Sequence, residues 1–274
     1  MGKFDGILFC TDLDGTLYKN DKTVSKENLD AIEYFKSEGG LFTFITGRVP
    51  KISASICETI KPNAPYGCVN GGGIYDVVQN EYLWSMPLAD GVKELVDCVK
   101  IQLPQVAIQV NTKNEIYFLN DNLAMAYFRK VTGVENITKN FEDINEPIFK
   151  IVFADESEER IINLEKVLKS HPDAYKFDFI RSERRLYEIL PKGVSKGNVL
   201  LKLADLLKVD RKKTIAVGDF YNDISMIKSA GVGIAVSNAA DQVKAVADRV
   251  TVSNEENAIA TIIDELDKGM LVIQ

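Results

Sequence analysis

Ile7-Leu8-Phe9-Cys10-Thr11-Asp12-Leu13-Asp14-Gly15-Thr16-Leu17-Tyr18 is the stretch whose reading decides the fold. Its first five residues are short, apolar and rich in strand formers, which suits a central parallel strand covered on both faces. Gly15 then breaks the run. In open α/β sheets ligands sit beyond the carboxyl ends of the strands, so Asp12 and Asp14 would both stand in the crevice where chemistry is done. An Asp-Gly pair is also an ordinary turn, so the weight of this reading rests on what the rest of the chain adds.

Working outward, strand-like and helix-like segments alternate as a doubly wound sheet requires. Ser25 is placed to cap a helix over Lys26 to Glu38, with Leu29, Ile32, Tyr34 and Phe35 on roughly one face, and Gly39-Gly40 stops it. A second strand, Leu41 to Ile45, ends at Thr46-Gly47-Arg48, and a helix runs from Val49 to about Ile60. A third strand, Gly67-Cys68-Val69, enters Asn70-Gly71-Gly72-Gly73, which reads mainly as a turn between strands. After Pro191 the rhythm resumes with a helix from Lys196 to Leu207, the strand Thr214 to Val217, the loop Gly218-Asp219-Phe220-Tyr221-Asn222-Asp223 and a helix from Ile224 to Ala230.

Between these parts the texture changes. Pro87, Pro104 and Pro147 punctuate shorter elements: strands at Val106–Gln109, Glu115–Leu119, Phe149–Ala154, Lys176–Ile180 and Leu186–Leu190. Helices near Val92–Ile101, Leu123–Val131 and Glu158–Leu168 would cover one face of them. The expected organisation is a doubly wound parallel-sheet, Rossmann-like α/β core from residues 1–83 and 191–274, with an α+β domain inserted at 84–190. Hinges are expected near Tyr82–Pro87 and Leu190–Gly193.

Composition removes several functional classes. The 274 residues carry 33 Lys plus Arg against 40 Asp plus Glu, a formal charge of −7, with no basic stripe to hold nucleic acid. The apolar runs are strand-sized, and the N-terminus lacks the long hydrophobic region of a signal peptide, so no membrane association and a cytoplasmic location are expected. Cys10, Cys57, Cys68 and Cys98 form no Cys-x-x-Cys pair and read as buried reduced thiols. The single histidine, His171, precedes Pro172 in a polar loop, which leaves carboxylates, lysine and hydroxyls to carry any catalysis, with a hard cation.

Asp219 repeats the context of Asp12, an acidic residue just beyond an apolar strand, so two strand ends present carboxylates to one crevice. Asn222 or Asp223 could instead cap the helix that follows. Such oxygen ligands suit Mg²⁺, which binds through one or two carboxylates plus substrate phosphate. Thr46-Gly47-Arg48 offers a hydroxyl and a flexible amide. Lys196, followed by Gly197, begins a helix whose first amides favour anions.

In that order the four features resemble the motifs of the haloacid dehalogenase (HAD) superfamily, and within it the Cof-type phosphatases with a large α/β cap. Asp12-Leu13-Asp14-Gly15-Thr16 is similar to the first motif, Thr46-Gly47-Arg48 to the second, Lys196-Gly197 to the third, and Gly218-Asp219 with Asn222-Asp223 to the fourth. The resemblance spans the whole chain. It implies that Asp12 attacks phosphorus to form an aspartyl-phosphate, and that Asp14 is the general acid and base, with a pKa raised enough to carry a proton near neutrality. It implies Mg²⁺ held by Asp12, the Asp14 carbonyl and Asp219, with Asn222 or Asp223 close by. Thr46, Gly47, Arg48 and Lys196 would bind the phosphoryl group. A cation is physically required, since a carboxylate 4 Å from a phosphate charge is repelled by roughly 4 kcal/mol per charge pair at an effective dielectric near 20.

The implied substrate is a small phosphorylated metabolite, a sugar phosphate or a phosphorylated cofactor, and the implied state a monomer or small homo-oligomer. The insert would be the cap that selects the leaving group. Within it Arg181, Arg184 and Arg185 could contact anions, although Arg near a turn is commonly solvated. Three glycines after Asn70, where the family shows Asn-Gly-Ala, and the bulky Phe220-Tyr221 put any borrowed substrate in doubt. The alternatives are a phosphomutase, a phosphoacceptor switch resembling response-regulator receivers, and a non-enzymatic phosphate-binding protein. Asp14 and the large insert argue against a receiver.

Overall fold

The structure is a computed structural model that describes residues 2–113 and 115–273; Met1, part of the N-terminal reading, lies outside the described residues. In chain order the principal elements begin with β1 (Leu8–Thr11), α1 (Lys26–Ser37), β2 (Leu41–Phe44), α2 (Pro50–Ile60), β3 (Tyr66–Cys68), β4 (Gly73–Asp76) and β5 (Glu81–Ser85). They continue with α3 (Val92–Gln102), β6 (Ala107–Thr112), β7 (Ile116–Asn120), α4 (Leu123–Thr132), β8 (Ile148–Ala154), α5 (Glu158–Ser170), β9 (Phe177–Glu183) and β10 (Leu186–Pro191). The chain closes with α6 (Lys196–Leu207), β11 (Thr214–Gly218), α7 (Ile224–Ser229), β12 (Val232–Ala235), α8 (Asp241–Lys244), β13 (Arg249–Val250) and α9 (Ala258–Asp267). The chain divides into two compact units, one of Met1–Arg48, Ser53–Trp84 and Ser195–Gln274, the other of Val49–Ile52 and Ser85–Val194.

The first unit is built on a parallel sheet in the order β13-β12-β11-β1-β2. Every residue of β1 is buried, as a strand covered on both faces must be. Cys10 lies level with Ala216 on one side and Thr43 on the other. Leu8 and Cys10 join Val199, Leu200, Leu203 and Ala204 of α6 and Met226 in one apolar cluster, while Phe9 packs against Phe35 and Phe42, at 5.8 and 5.3 Å between ring centres. Capping fixes where the helices start: the Ser25 hydroxyl accepts from the Asn28 amide at 3.2 Å and the Ser195 hydroxyl from the Asn198 amide at 3.1 Å. The second cap makes Lys196 the first residue of α6.

A small antiparallel sheet, β3-β4-β5, belongs to the same unit. The glycine run ahead of β4 is more than a hairpin turn. Val69 and Asn70 adopt φ of +55° and +53°, and a Cβ on Gly71, itself at φ +101°, would lie 2.2 Å from the carbonyl oxygen of Ser195. The run therefore packs directly on the start of α6. β5, β12, β13, α8 and α9 carry no motif, and the sequence reading does not include them.

The second unit holds an antiparallel sheet ordered β7-β6-β8-β10-β9. Leu95, Val96 and Val99 of α3 and Ile161, Leu164 and Leu168 of α5 pack on one face of it. The expectation that three helices share that face is corrected: α4 contributes no residue to this cluster, and its Arg129 instead stands 5.1 Å over the ring of Phe118. Cys10, Cys57 and Cys68 are buried, but Cys98 is only partly so, because it lies at the flank of α3. No helix among the described residues is long and apolar enough to cross a membrane.

Candidate active site

Two parallel strands end side by side and deliver the acidic groups. Asp12 follows β1 and extends the ladder by one bond, its amide donating to the Val217 carbonyl at 2.8 Å. Asp219 follows β11. Asp223 lies in the turn before α7, where its Oδ2 accepts from the amides of Asp219 and Phe220 at 2.9 and 3.1 Å. Carboxylate oxygens of Asp12, Asp219 and Asp223 all fall within 4.8 Å of one another.

Lys196 is the counter-charge. Its Nζ donates to Asp12 Oδ1 and to Asp223 Oδ1, each at 2.6 Å, and its side chain is 1% exposed. Burial alone would pull this ammonium down, but the two carboxylates outweigh it and hold the lysine charged. The carboxylates fare differently. Burial pushes Asp12 up to about 7, with Lys196 opposing and Asp223 and Asp14 adding to the rise. Burial together with the charges of Asp223 and Asp12 pushes Asp219 up to about 8, while the Thr16 hydroxyl donates to its Oδ1 at 2.9 Å.

Three carboxylates against one ammonium leave an excess of negative charge. Converging hard oxygens of this kind fit a divalent cation such as Mg²⁺. The close approach is possible because residue 15 has no side chain: at φ +83°, a Cβ there would lie 2.5 Å from Asp219 Oδ2.

Asp14 stands in the opposite environment. Arg48 Nε donates to its Oδ2 and Nη2 to its Oδ1, both at 2.8 Å, a bidentate pair. Lys22 Nζ adds a third bond at 2.8 Å, and the guanidinium lies 5.2 Å over the Tyr18 ring. Burial would raise this carboxyl, but Arg48 first and Lys22 second outweigh it, so it sits below the usual carboxylate range. In the structure the Asp14 carboxyl is therefore not raised toward neutrality, and the Arg48 guanidinium holds it, because a fork of donors finds a carboxylate within reach.

The remaining candidates sort as follows. Thr46, just beyond β2, is buried; its hydroxyl accepts from the Arg48 amide at 3.2 Å and its carbonyl from the Asn70 amide at 3.0 Å. A Cβ on Gly47 would come within 2.9 Å of Asn70 Oδ1. Asn222, expected at the cation, donates its side-chain amide to Asn70 Oδ1 at 3.0 Å; its own NH₂ is engaged there because the turn before α7 faces the glycine run. Thr16, Lys22 and Asn238, whose Nδ2 donates to the Gly15 carbonyl at 2.8 Å, also reach the site. The sequence offered a signal only for Thr16, inside the first motif. Arg181 and Arg184 both pair with Glu158.

The family model of haloacid dehalogenase-like hydrolases matches residues 9–263. The 5-amino-6-(5-phospho-D-ribitylamino)uracil phosphatase YitU of Bacillus subtilis is 29% identical over 262 residues, covering 94% of this chain and 96% of that one. Among solved structures, a haloacid dehalogenase-like hydrolase from Bacteroides thetaiotaomicron superposes with a TM-score of 0.84 at 26% identity, over 95% of this chain and 99% of that one. The HAD subclass IIB sugar phosphatase BT4131 gives 0.83 at 22% identity, over 97% and 100%, a likeness of fold.

Proposed function

This chain belongs to the haloacid dehalogenase-like hydrolases and is a phosphatase, and from that premise we propose that it hydrolyses a small phosphorylated metabolite through an aspartyl-phosphate on Asp12. The observation that carries this reading is Lys196, 2.6 Å from both Asp12 and Asp223 at the ends of two parallel strands. A buried nucleophilic carboxylate, a fixed cation and a threonine hydroxyl are the parts that phosphoryl transfer needs.

A carboxylate oxygen of Asp12 attacks phosphorus in line, the ester P–O bond breaks, and its electrons pass to the leaving oxygen. Asp14 delivers a proton to that oxygen. In the second half Asp14 takes a proton from water as the water attacks the phosphoryl group, which frees Asp12 and inorganic phosphate. Thr46 and Lys196 stabilise charge on the phosphoryl oxygens. Asp12, Asp219 and the Asp14 carbonyl, with Asp223 and Asn222 beside them, would hold Mg²⁺, which supplies charge neutralisation for the carboxylates and the phosphoryl group. Asp14 enters its acid role when the phosphate dianion draws Arg48 away, because the carboxyl then loses the charge that keeps it ionised.

The inserted unit acts as the specificity element, with sugar phosphates and phosphorylated cofactors as the substrate classes; the two relatives named as phosphatases of a ribityl compound and of sugars support this range. The test is phosphate release from a panel of phosphorylated sugars, nucleotides and cofactors, with Mg²⁺ and with EDTA, comparing the native chain with Asp12→Ala. Metal-dependent release that disappears in the variant is the expected result. Release that survives Asp12→Ala overturns the nucleophile.

A further inference from the structure

The turn that carries Asp14 is held from far along the chain. Gly15 must be glycine for Asp219 to come close, and glycine leaves the backbone beside the acid freer than any other residue would. Apart from an isolated bridge between Asp14 and Tyr18, residues 14–20 belong to no helix or strand. The Tyr18 and Thr16 amides turn back to the Leu13 carbonyl, at 2.8 and 3.4 Å, which closes the turn without fixing the direction of the Gly15 carbonyl. Two asparagines do that. Asn238 Nδ2 donates to the Gly15 carbonyl at 2.8 Å, and its Oδ1 accepts from the Asn254 amide at 3.0 Å. Asn254, 3% exposed, donates through Nδ2 to the Tyr18 carbonyl at 3.0 Å, and Glu255 Oε1 accepts from the Asn20 amide at 2.7 Å.

Asn238 is itself fixed in place. The segment that carries it also bonds the second acidic turn: the Val236 amide donates to the Gly218 carbonyl at 3.3 Å and the Ala240 amide to the Asp219 carbonyl at 3.0 Å. An exposed asparagine bonded to backbone commonly does no more than close a local turn. Here both ends of one side-chain amide are used, on residues 223 positions before it and 16 positions after it, and its donor meets the carbonyl of the residue next to Asp14. One short segment thus braces the turn of the acid against the turn of Asp219.

We propose that Asn238 is a positioning residue for Asp14: its bond to the Gly15 carbonyl removes the freedom of the glycine and holds the Asp14 carboxyl where it can give its proton to the leaving oxygen. Asn254 secures both Asn238 and the far end of the turn. The proposal rests on the acid role assigned to Asp14 above. The Asn238 amide is spent on backbone groups, so it acts through Asp14. Proton delivery needs the donor within hydrogen-bond reach of the leaving oxygen, and a misplacement of about 1 Å in such a geometry costs on the order of 10²-fold.

The test compares phenyl phosphate with 4-nitrophenyl phosphate at saturating Mg²⁺, two esters of similar shape whose leaving oxygens differ in their need for a proton. Asn238→Ala should lower kcat/KM for phenyl phosphate by about 10- to 100-fold. For 4-nitrophenyl phosphate the fall should be less than about 3-fold, since a good leaving group departs with little help from an acid. In an Asp14→Asn background the same substitution should change neither value by more than about 2-fold, because residues that act through one group are not additive. Asn238 is exposed, so its removal leaves the core intact; should the alanine variant unfold, Asn238→Asp gives the same comparison, keeping the acceptor for Asn254 and losing the donor to Gly15. An equal fall for both esters, or an undiminished fall in the Asp14→Asn background, overturns the proposal and leaves the acid role of Asp14 standing. Phenyl phosphate turnover that Asp14→Asn alone does not slow overturns the acid role and the proposal together, as does a native enzyme that releases phosphate from neither ester.

Discussion

Asp12 and Asp14 are separated by one residue, yet the protein drives them in opposite directions. Around Asp12 lie two further carboxylates and a single ammonium, and burial pushes the acids up, Asp12 to about 7 and Asp219 to about 8. Around Asp14 lie two cations and no second acid among the bonded groups, and the carboxyl is held down. Local sequence does not create this difference. A strand turns its alternate residues to the same side, but the turn at Gly15 ends that alternation and hands each carboxylate to a different set of neighbours. Proximity in sequence is no guide to protonation; the partners decide it.

The comparison breaks first at the nucleophile. Asp12→Asn should lower phosphate release by about 10⁴-fold or more, the scale on which loss of a catalytic nucleophile is felt, measured under saturating Mg²⁺. Asp14→Asn should cost about 10²- to 10⁴-fold, as loss of a general acid and base does, with Mg²⁺ binding by calorimetry largely retained. Equal loss of Mg²⁺ binding in the two variants would erase the distinction between the two carboxylates.

Lys196→Met probes the acidic side. Removing the one cation leaves two buried carboxylates without their counter-charge, and urea unfolding in EDTA should show a loss of about 3 kcal/mol. Added Mg²⁺ should return part of that stability. Unchanged unfolding would mean that the carboxylates do not share their charge with Lys196.

The proton content of the acidic side gives a smaller, signed effect. Asp12 and Asp219 have folded-state pKa values raised above the ordinary 3.8, so at these two sites the metal-free folded protein binds more protons than the unfolded chain. Their contribution to stability therefore falls as pH rises from about 4 through 8. A divalent cation must displace those protons, so the rise in melting temperature on adding Mg²⁺ should be larger at pH 8.5 than at pH 6. Equal shifts at both values would remove the case for raised carboxyls.

Lys22→Met sharpens the other side with the smallest change. Asp14 keeps its bidentate Arg48 but loses the third bond, and turnover of alkyl phosphates, whose leaving oxygen needs a proton, should change by only about 2- to 5-fold, an exposed ion pair being weak. Aryl phosphates, with better leaving groups, should respond less. An identical change for both ester types would disconnect Lys22 from proton delivery.

The strand-ending acids were legible because apolar strand, acid and glycine are all local signals. β1, β11 and the start of α6 each announce themselves within about ten residues, and a parallel sheet then brings their ends together. What was not legible depends on distance. Nothing within the chain near Lys22 tells that its ammonium reaches Asp14, because that bond is made by the fold of the intervening turn. The resemblance places Arg48 at the phosphoryl group, and nothing local to its motif tells that its fork of donors bonds Asp14. The resemblance places Asn222 beside the cation, while the bond of its side-chain amide to Asn70, which is distant in sequence, is set by the fold. In the second unit the alternation of strands was visible, but not that α4 would leave the helical layer, nor that Gln109 and Asn111 would be buried with polar atoms unspent. Those facts belong to cross-strand register, which no single strand encodes.

The bond between Lys196 and Asp12 joins residues 184 positions apart, and β1 sits in the sheet between β2, which follows it closely, and β11, which does not arrive until residue 214. During synthesis, the strand that carries the nucleophile therefore waits with one edge unpaired while roughly two-thirds of the polypeptide emerges. The second unit's long segment, Ser85–Val194, is by contrast nearly continuous and closes its own sheet from neighbouring strands. Contacts that span long stretches of chain form slowly and leave apolar edges exposed in the meantime. Catalytic competence is thus a late event in the life of each molecule, and its yield depends on keeping one nascent strand edge from pairing with the wrong partner.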